Sequence, residues 1–259
     1  MYASNFYENL VLNLMRGQSA AAPSNLYLAL FLSNPGDTGS EGTEISYTGY
    51  ARQPITFSSP AASGSGLMVQ NTAMISFAEA QSSAGSVTYV GVFDSLAGGN
   101  MWLYAPLDQA LVVQNGVSPV FRAGNIKFVM TGNFSLYYKT RILNLLLGTS
   151  ITGFVPYVAL CNGDPTVSGS EFSGGDYSRI QVSMSVPSQQ SSGAALSVNV
   201  NDAMTDVSTA NWGTLTHAAI YDADTGGSPF AIIDLGRAYS APIGTTMGFH
   251  AGDLAVNFN

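Results

Sequence analysis

Gly85-Ser86-Val87-Thr88-Tyr89-Val90-Gly91-Val92-Phe93-Asp94, closed by Gly98-Gly99, returns as Gly213-Thr214-Leu215-Thr216-His217-Ala218-Ala219-Ile220-Tyr221-Asp222, closed by Gly226-Gly227. In the first copy side chains alternate through Val87, Tyr89 and Gly91, and the stretch ends apolar before an Asp and a glycine pair. That pattern predicts a half-buried strand running into a hairpin turn. Its recurrence predicts two like modules.

The match extends in both directions at nearly constant spacing. Downstream, Leu107 meets Leu235, Gly116 meets Gly244, Phe121 meets Phe249 and Ala123-Gly124 meets Ala251-Gly252. Upstream, Asn71-Thr72-Ala73-Met74 aligns with Asn201-Asp202-Ala203-Met204, Tyr50-x-Arg52 with Tyr177-x-Arg179, and Tyr27-x-Ala29-Leu30 with Tyr157-x-Ala159-Leu160. Solenoid repeats recur every ~20–50 residues. This longer period indicates a duplicated domain, with the joint near Gly132-Asn133.

Of the residues, 46% are hydrophobic and only 9% charged, with 28 Gly, which favours short strands and polar turns over helices. A surface so poor in ion pairs suits coverage by partners. The net charge of −8, with 8 Lys and Arg divided between the modules, offers no basic stripe for phosphates and argues against nucleic-acid binding. No stretch is long and apolar enough for a membrane helix, and the first residues lack the order of a signal peptide, so synthesis and folding in a cytoplasm are expected. Cys161 stands alone in an apolar strand, where packing is its expected role.

Tyr7, Leu10, Val11, Leu14 and Met15 share one helical face, with Asn5 and Glu8 as a capping box and Gly17 as the stop. Tyr138, Ile142, Leu145 and Leu146 repeat the face before Gly148, with Arg141 in the place of Leu10. Strands are expected at Leu26–Ser33, Tyr50–Phe57, Leu103–Leu107, Val117–Phe121 and Ile126–Met130. The second module offers Tyr177–Met184, Phe230–Leu235, Thr245–Phe249 and Leu254–Phe258. Residues 59–66 and 187–193, small and polar, are expected to be mobile loop tips. The fold predicted is all-β: two tandem β-sandwich-like domains, residues 1–133 and 134–259, each preceded by a short helix.

Convergent polar chemistry is sparse, and no catalytic, cofactor-binding or metal site is predicted. His217 and His250 are matched by Tyr89 and Arg122, which favours packing or surface roles. Asp222-x-Asp224-x-Gly226 lacks the later bidentate Glu of a calcium loop and fits a hairpin turn better. Glu44 and Glu171 recur near Arg52 and Arg179, which suits a carboxylate–guanidinium clamp that fixes a loop. Trp102, Trp212, Gln189 and Gln190 are candidate glycan or partner contacts, because rings and amides suit sugars.

Taken together, Asn9 to Gly17, Leu26 to Phe31, Pro35 to Asp37, Gly42 to Glu44, Gly49 to Arg52, Asn71 to Ala73, Gly85 to Gly99 and Ala123 to Ile126 resemble the tailed-bacteriophage virion family usually labelled phage tail fibre protein. The second module keeps Tyr177, Arg179, Gly213 to Asp222, Gly226-Gly227 and Ala251 to Leu254, but departs at Asp176-Tyr177-Ser178 and at Leu147. The resemblance implies a non-enzymatic virion component: a tail, neck or baseplate fibre or fibre adaptor, with a capsid decoration protein or a glycan-binding adhesin as alternatives. It implies contacts with other virion proteins and a homo-oligomer. Three copies of a duplicated chain present six like domains, which suits a junction of three-fold and six-fold parts.

Overall fold

The computed structural model describes residues 1–190 and 193–258. Ser191 and Ser192, in the second expected loop tip, and Asn259 lie outside the described residues. The first repeat runs β1 (Tyr2–Ala3), α1 (Asn5–Leu12), β2 (Leu26–Phe31), β3 (Gln53–Ile55), β4 (Ala61–Ser63) and β5 (Gly66–Gln70). It continues with β6 (Ile75–Ser76), β7 (Gly85–Phe93), β8 (Met101–Val113), β9 (Val120–Phe121) and β10 (Lys127–Met130). The second repeat contains α2 (Leu136–Leu145), β11 (Tyr157–Cys161), β12 (Ile180–Gln181), β13 (Ser188–Gln189) and β14 (Ala195–Val198). Then follow β15 (Ala203–Met204), β16 (Gly213–Tyr221), β17 (Pro229–Ala241), β18 (Gly248–Phe249) and β19 (Ala255–Phe258).

All pairings between these strands are antiparallel. The large sheets are ordered β1-β8-β7-β2-β3 and β12-β11-β16-β17, the small ones β10-β5-β4 and β13-β14-β19. Leu28, Leu30, Val90 and Val92 on one sheet and Leu67, Val69, Phe128 and Met130 on the other belong to one buried cluster, to which the second repeat also contributes. Residues 59–66 are not only a loop: Ala61–Ser63 pairs with Gly66–Met68 as a hairpin, because backbone pairing on a sheet edge needs no bulky side chains. Conversely, Tyr50–Phe57 and Tyr177–Met184 shorten to Gln53–Ile55 and Ile180–Gln181.

The doubled stretch forms β7 and β16, but its alternation breaks once in each copy. Val87 and Val90 both face the core, since Thr88 stands opposite the four-residue excursion between Pro106 and Leu111. Thr216 is likewise skipped between Leu215 and His217, opposite the excursion between Asp234 and Tyr239. A second irregularity skips Trp102 and Phe230, turning both inward beside Leu103 and Ala231. A bulge reverses side-chain parity, so strict period two over Val87, Tyr89 and Gly91 does not hold.

Each helix is fastened at its start by a serine rather than by the expected Asn5–Glu8 box. Ser4 accepts from the Tyr7 backbone N–H at 3.3 Å and donates to the Met101 carbonyl, which ties the helix start to β8. Ser135 caps α2 by accepting the Tyr138 backbone N–H at 3.2 Å. Glu8, freed from capping, points into the second repeat.

The two helices are where the repeats meet. Helix α1 packs on β8 of its own repeat and on β14 and β19 of the other, while α2 packs on β17 and on β5 of the first repeat. The main cluster of buried side chains accordingly runs through both repeats, with one small separate cluster in each repeat. Tyr7, fully buried, touches Trp102 and Phe128 on one side and Phe258 on the other, and donates to the Ile142 carbonyl of α2 at 2.7 Å.

Beyond the helices the chain crosses itself reciprocally. The Ala20 N–H donates to the Ile151 carbonyl at 2.8 Å and the Ile151 N–H to the Ala20 carbonyl at 2.9 Å. The Ala22 N–H donates to the Ser150 hydroxyl and the Gly153 N–H to the Ser19 hydroxyl. Since Ser19 and Ser150, and Ala22 and Gly153, occupy matching places after their helices, this is the contact pattern of a two-fold dimer within one chain. Gly153 is obligatory there, because a Cβ would lie 2.3 Å from the Gly17 carbonyl carbon.

Tyr7→Ala is expected to lower stability by ~3–5 kcal/mol and Tyr7→Phe by ~1 kcal/mol in urea denaturation, as a buried ring or a single hydrogen bond is lost. A Tyr7→Ala cost near that of a surface substitution would remove the ring from the shared core.

Candidate functional site

Beneath each hairpin turn lies the same buried polar assembly. The Arg52 guanidinium donates to Glu44 through Nε at 3.0 Å and NH2 at 2.8 Å, and through NH1 to the Ser95 and Gly98 carbonyls at 2.9 and 2.7 Å. Its face lies 3.8 Å from the centre of the Phe93 ring. In the second repeat Arg179 meets Glu171 at 2.9 and 2.8 Å, the Ala223 and Gly226 carbonyls at 2.8 and 2.7 Å, and the Tyr221 ring at 3.5 Å.

Guanidinium is suited to this place because its planar fork satisfies a carboxylate and two turn carbonyls while stacking on a ring. The Tyr50 hydroxyl donates to Glu44 at 2.8 Å and accepts the Leu30 N–H at 3.1 Å, with Tyr177 doing the same between Glu171 and Leu160. Burial, followed by the neighbouring carboxylates, raises the pKa of both phenols. Burial alone would lower that of Arg179, but the bonds to Glu171 outweigh it and the net direction is upward. These groups hold charge and geometry.

The turn above each clamp is fixed by its Asp. Asp94 accepts from the Asn100 backbone and side-chain amides at 2.7 and 2.9 Å, and Asp222 accepts from the Ser228 N–H and the Tyr138 hydroxyl at 2.7 Å each. A Cβ on Gly99 or Gly227 would collide with these carboxylates at 2.4 and 2.3 Å, and both residues have positive φ. Asp222 is thus occupied by the turn, and no group of three His, Cys, Asp or Glu side chains is placed to hold a metal among the described residues.

A second polar device was hidden by a false match in the sequence. Asn71 donates to the Ala73 and Arg122 carbonyls at 2.8 and 2.9 Å and accepts the Ile126 N–H at 2.8 Å. Its counterpart is Asn199, not Asn201: Asn199 donates to the Asn201 and His250 carbonyls at 2.8 Å each and accepts the Leu254 N–H at 2.8 Å. The strand pairs agree, since Ile75 faces Phe121 where Ala203 faces Phe249. Only the spacing to Phe121 and Phe249 carried that register; the Asn-x-Ala-Met letters pointed two residues away.

The candidate glycan contacts are not brought together. Trp102 is 1% exposed, turned into the core by the irregularity beside it, and edges Phe6 and Tyr7. Trp212 is 7% exposed and spends its indole N–H on the Gly174 carbonyl at 3.1 Å. Neither ring is open to stack on a sugar. Gln189 and Gln190 are exposed, with Gln189 3.4 Å from the Asn9 side chain. Cys161 is fully buried, and burial pushes its thiol up to about 12. His250 is exposed beside Asp202, and His217 bonds Thr216.

Arg52→Met or Arg179→Met is expected to cost ~3 kcal/mol, because a carboxylate and two carbonyls lose their partner. The Glu44→Met/Arg52→Met pair is expected to cost less than the two single changes summed. Additive costs in denaturant titration would contradict a coupled clamp.

Comparison with known proteins adds the identity of the repeats. A search of curated proteins found no match. The family model described as podophage GP4 fiber I protein gp80 matches twice, over residues 2–129 and again over 133–257. Two copies of one family model, with the same clamp and the same turn in each, place the chain in that podophage fibre family, as a structural fibre protein of the virion that associates with other virion proteins.

Proposed function

We propose that the protein is a non-enzymatic fibre or fibre-adaptor component at the tail, neck or baseplate of a podophage, held in place by protein contacts. The observation that carries this reading is the double family match, because both halves of the chain match a fibre family. The division of labour within the repeats supports it. Clamp, turn and core keep their form in both copies, whereas exposed positions diverge: Arg16 against Leu147, and Arg122 against His250. Surfaces that differ on a common core suit two different neighbours.

The low charge of the surface fits the same role, since lasting protein interfaces are depleted of Lys, Glu and Asp. Exposed apolar side chains such as Val207 and Ile243 lie on segments that are joined by the Ser208 N–H to Thr245 carbonyl bond at 2.8 Å and the Gly244 N–H to Ser208 carbonyl bond at 2.8 Å. With both tryptophans buried, a sugar-stacking platform from Trp102 or Trp212 has no support. The reading extends to assembly as a trimer, in which the duplicated chain presents six like domains.

Mass spectrometry of purified particles is expected to find the protein in stoichiometric amounts, and its absence would refute the reading. Native mass spectrometry is expected to give three chains per complex. A stable monomer that also sits singly on the particle would refute the trimer.

A further inference from the structure

A recess of about 400 Å³ opens in the second repeat beside the excursion of β17. Leu215, Ile233 and Phe249 form an apolar wall, with Leu215 and Phe249 buried. Asp234, Arg237 and Asp253, all exposed, and the half-buried Tyr239 supply polar groups to the same recess. A bulge re-aims the side chains it carries, and the excursion between Asp234 and Tyr239 holds Arg237 at the rim.

Each charged group is anchored at one atom and open at another. Asp234 accepts the Gly236 N–H through Oδ1 at 2.9 Å, and Asp253 accepts the His250 N–H through Oδ2 at 2.9 Å. Arg237 donates through Nε to the Tyr239 hydroxyl, with its guanidinium 4.6 Å from the centre of that ring. The second oxygen of each carboxylate and the two terminal guanidinium nitrogens take no further bond among the described residues, and no salt bridge joins Arg237 to either Asp. The first repeat is built differently at this place. Pro106 stands opposite Tyr89 as Asp234 does opposite His217, and Leu111 opposite Val87 as Tyr239 does opposite Leu215. Gln109 and Asn125 match Arg237 and Asp253 by the same registers, so none of the counterparts is charged. Gly248, where the first repeat has Val120, removes a side chain from the wall.

We propose that this recess binds a neutral saccharide ring, with Asp234 and Asp253 accepting from its hydroxyls and Arg237 donating to them. An anion would meet two carboxylates and a cation would meet the guanidinium, whereas one hydroxyl donates to a carboxylate oxygen and accepts from an N–H at once. The C–H face of the ring suits the apolar wall, and small-ligand sites ordinarily measure ~300–1,000 Å³. Binding here is separate from the contacts that seat the chain in the particle, so its failure would leave the fibre reading intact.

The test screens the intact chain on an array of bacterial surface saccharides and follows binding by the carbon-13 methyl signal of Met247, which lines the recess. A neutral saccharide is expected to bind and to shift the Met247 signal saturably. Arg237→Ala and Asp253→Ala are each expected to weaken that binding at least about tenfold, as hydrogen bonds to a charged group are lost. Gln109→Ala, at the matching place in the first repeat, is expected to leave it unchanged. No binding across the array, selection of sulfated or acidic saccharides alone, or full affinity in Arg237→Ala and Asp253→Ala would overturn the site. Should these variants not fold, the wild-type titration decides: a saturable shift of Met247 supports the site, and shifts confined to the other methionines overturn it.

Discussion

The structure depends on a constraint at its centre: neither repeat can bury its small sheet without the helix of the other. Helix α1 covers β14 and β19, and α2 covers β5, so apolar surface that would face water in an isolated repeat is removed only when both are present. Removing apolar area from water is worth roughly 25 cal/mol per Å² and dominates folding. The reciprocal Ala20–Ile151 pairing then fixes the relative position of the two halves, because backbone hydrogen bonds tolerate little displacement. Duplication has put the two sides of a two-fold contact on one chain, where association costs no translational freedom.

From that centre outward, rigidity is built from buried polar groups rather than from surface ion pairs. Each repeat has one arginine clamp under its hairpin turn and one asparagine that spans the last loop, and each of these groups is satisfied by several partners. Exposed ion pairs contribute ~0–1 kcal/mol, so a chain with 9% charged residues loses little by lacking them. A fibre protein gains from such economy. Its turns stay fixed while outer positions such as Arg122 and His250 differ between the repeats.

Much of this was legible in the residues, and for physical reasons. The Gly-to-Asp stretch recurs because it forms the same long strand and turn in each repeat, and Glu44 with Arg52 and Glu171 with Arg179 recur at the same separation; the structure places each pair in contact. The helices were visible in their periodicity, but their caps were not. Ser4 and Ser135 are held at the helix starts by backbone N–H bonds to the Trp102 and Phe230 carbonyls, and a distant strand is invisible to local pattern. Trp102 carries no mark of burial in its own neighbourhood; the irregularity opposite Val92 and Phe93 turns it inward. Reading Asn201 for Asn199 had the opposite origin, since identical letters outweighed the spacing that the strand pairs obey. The shared core was beyond any such reading, as nothing in one repeat's sequence says whose helix covers it.

Differential scanning calorimetry of the intact chain tests the shared core most directly. Two repeats with one core should unfold as one unit, giving a single transition whose calorimetric and van't Hoff enthalpies agree. Two resolved transitions, or a calorimetric enthalpy about twice the van't Hoff value, would show that each repeat holds its own core and would contradict the account.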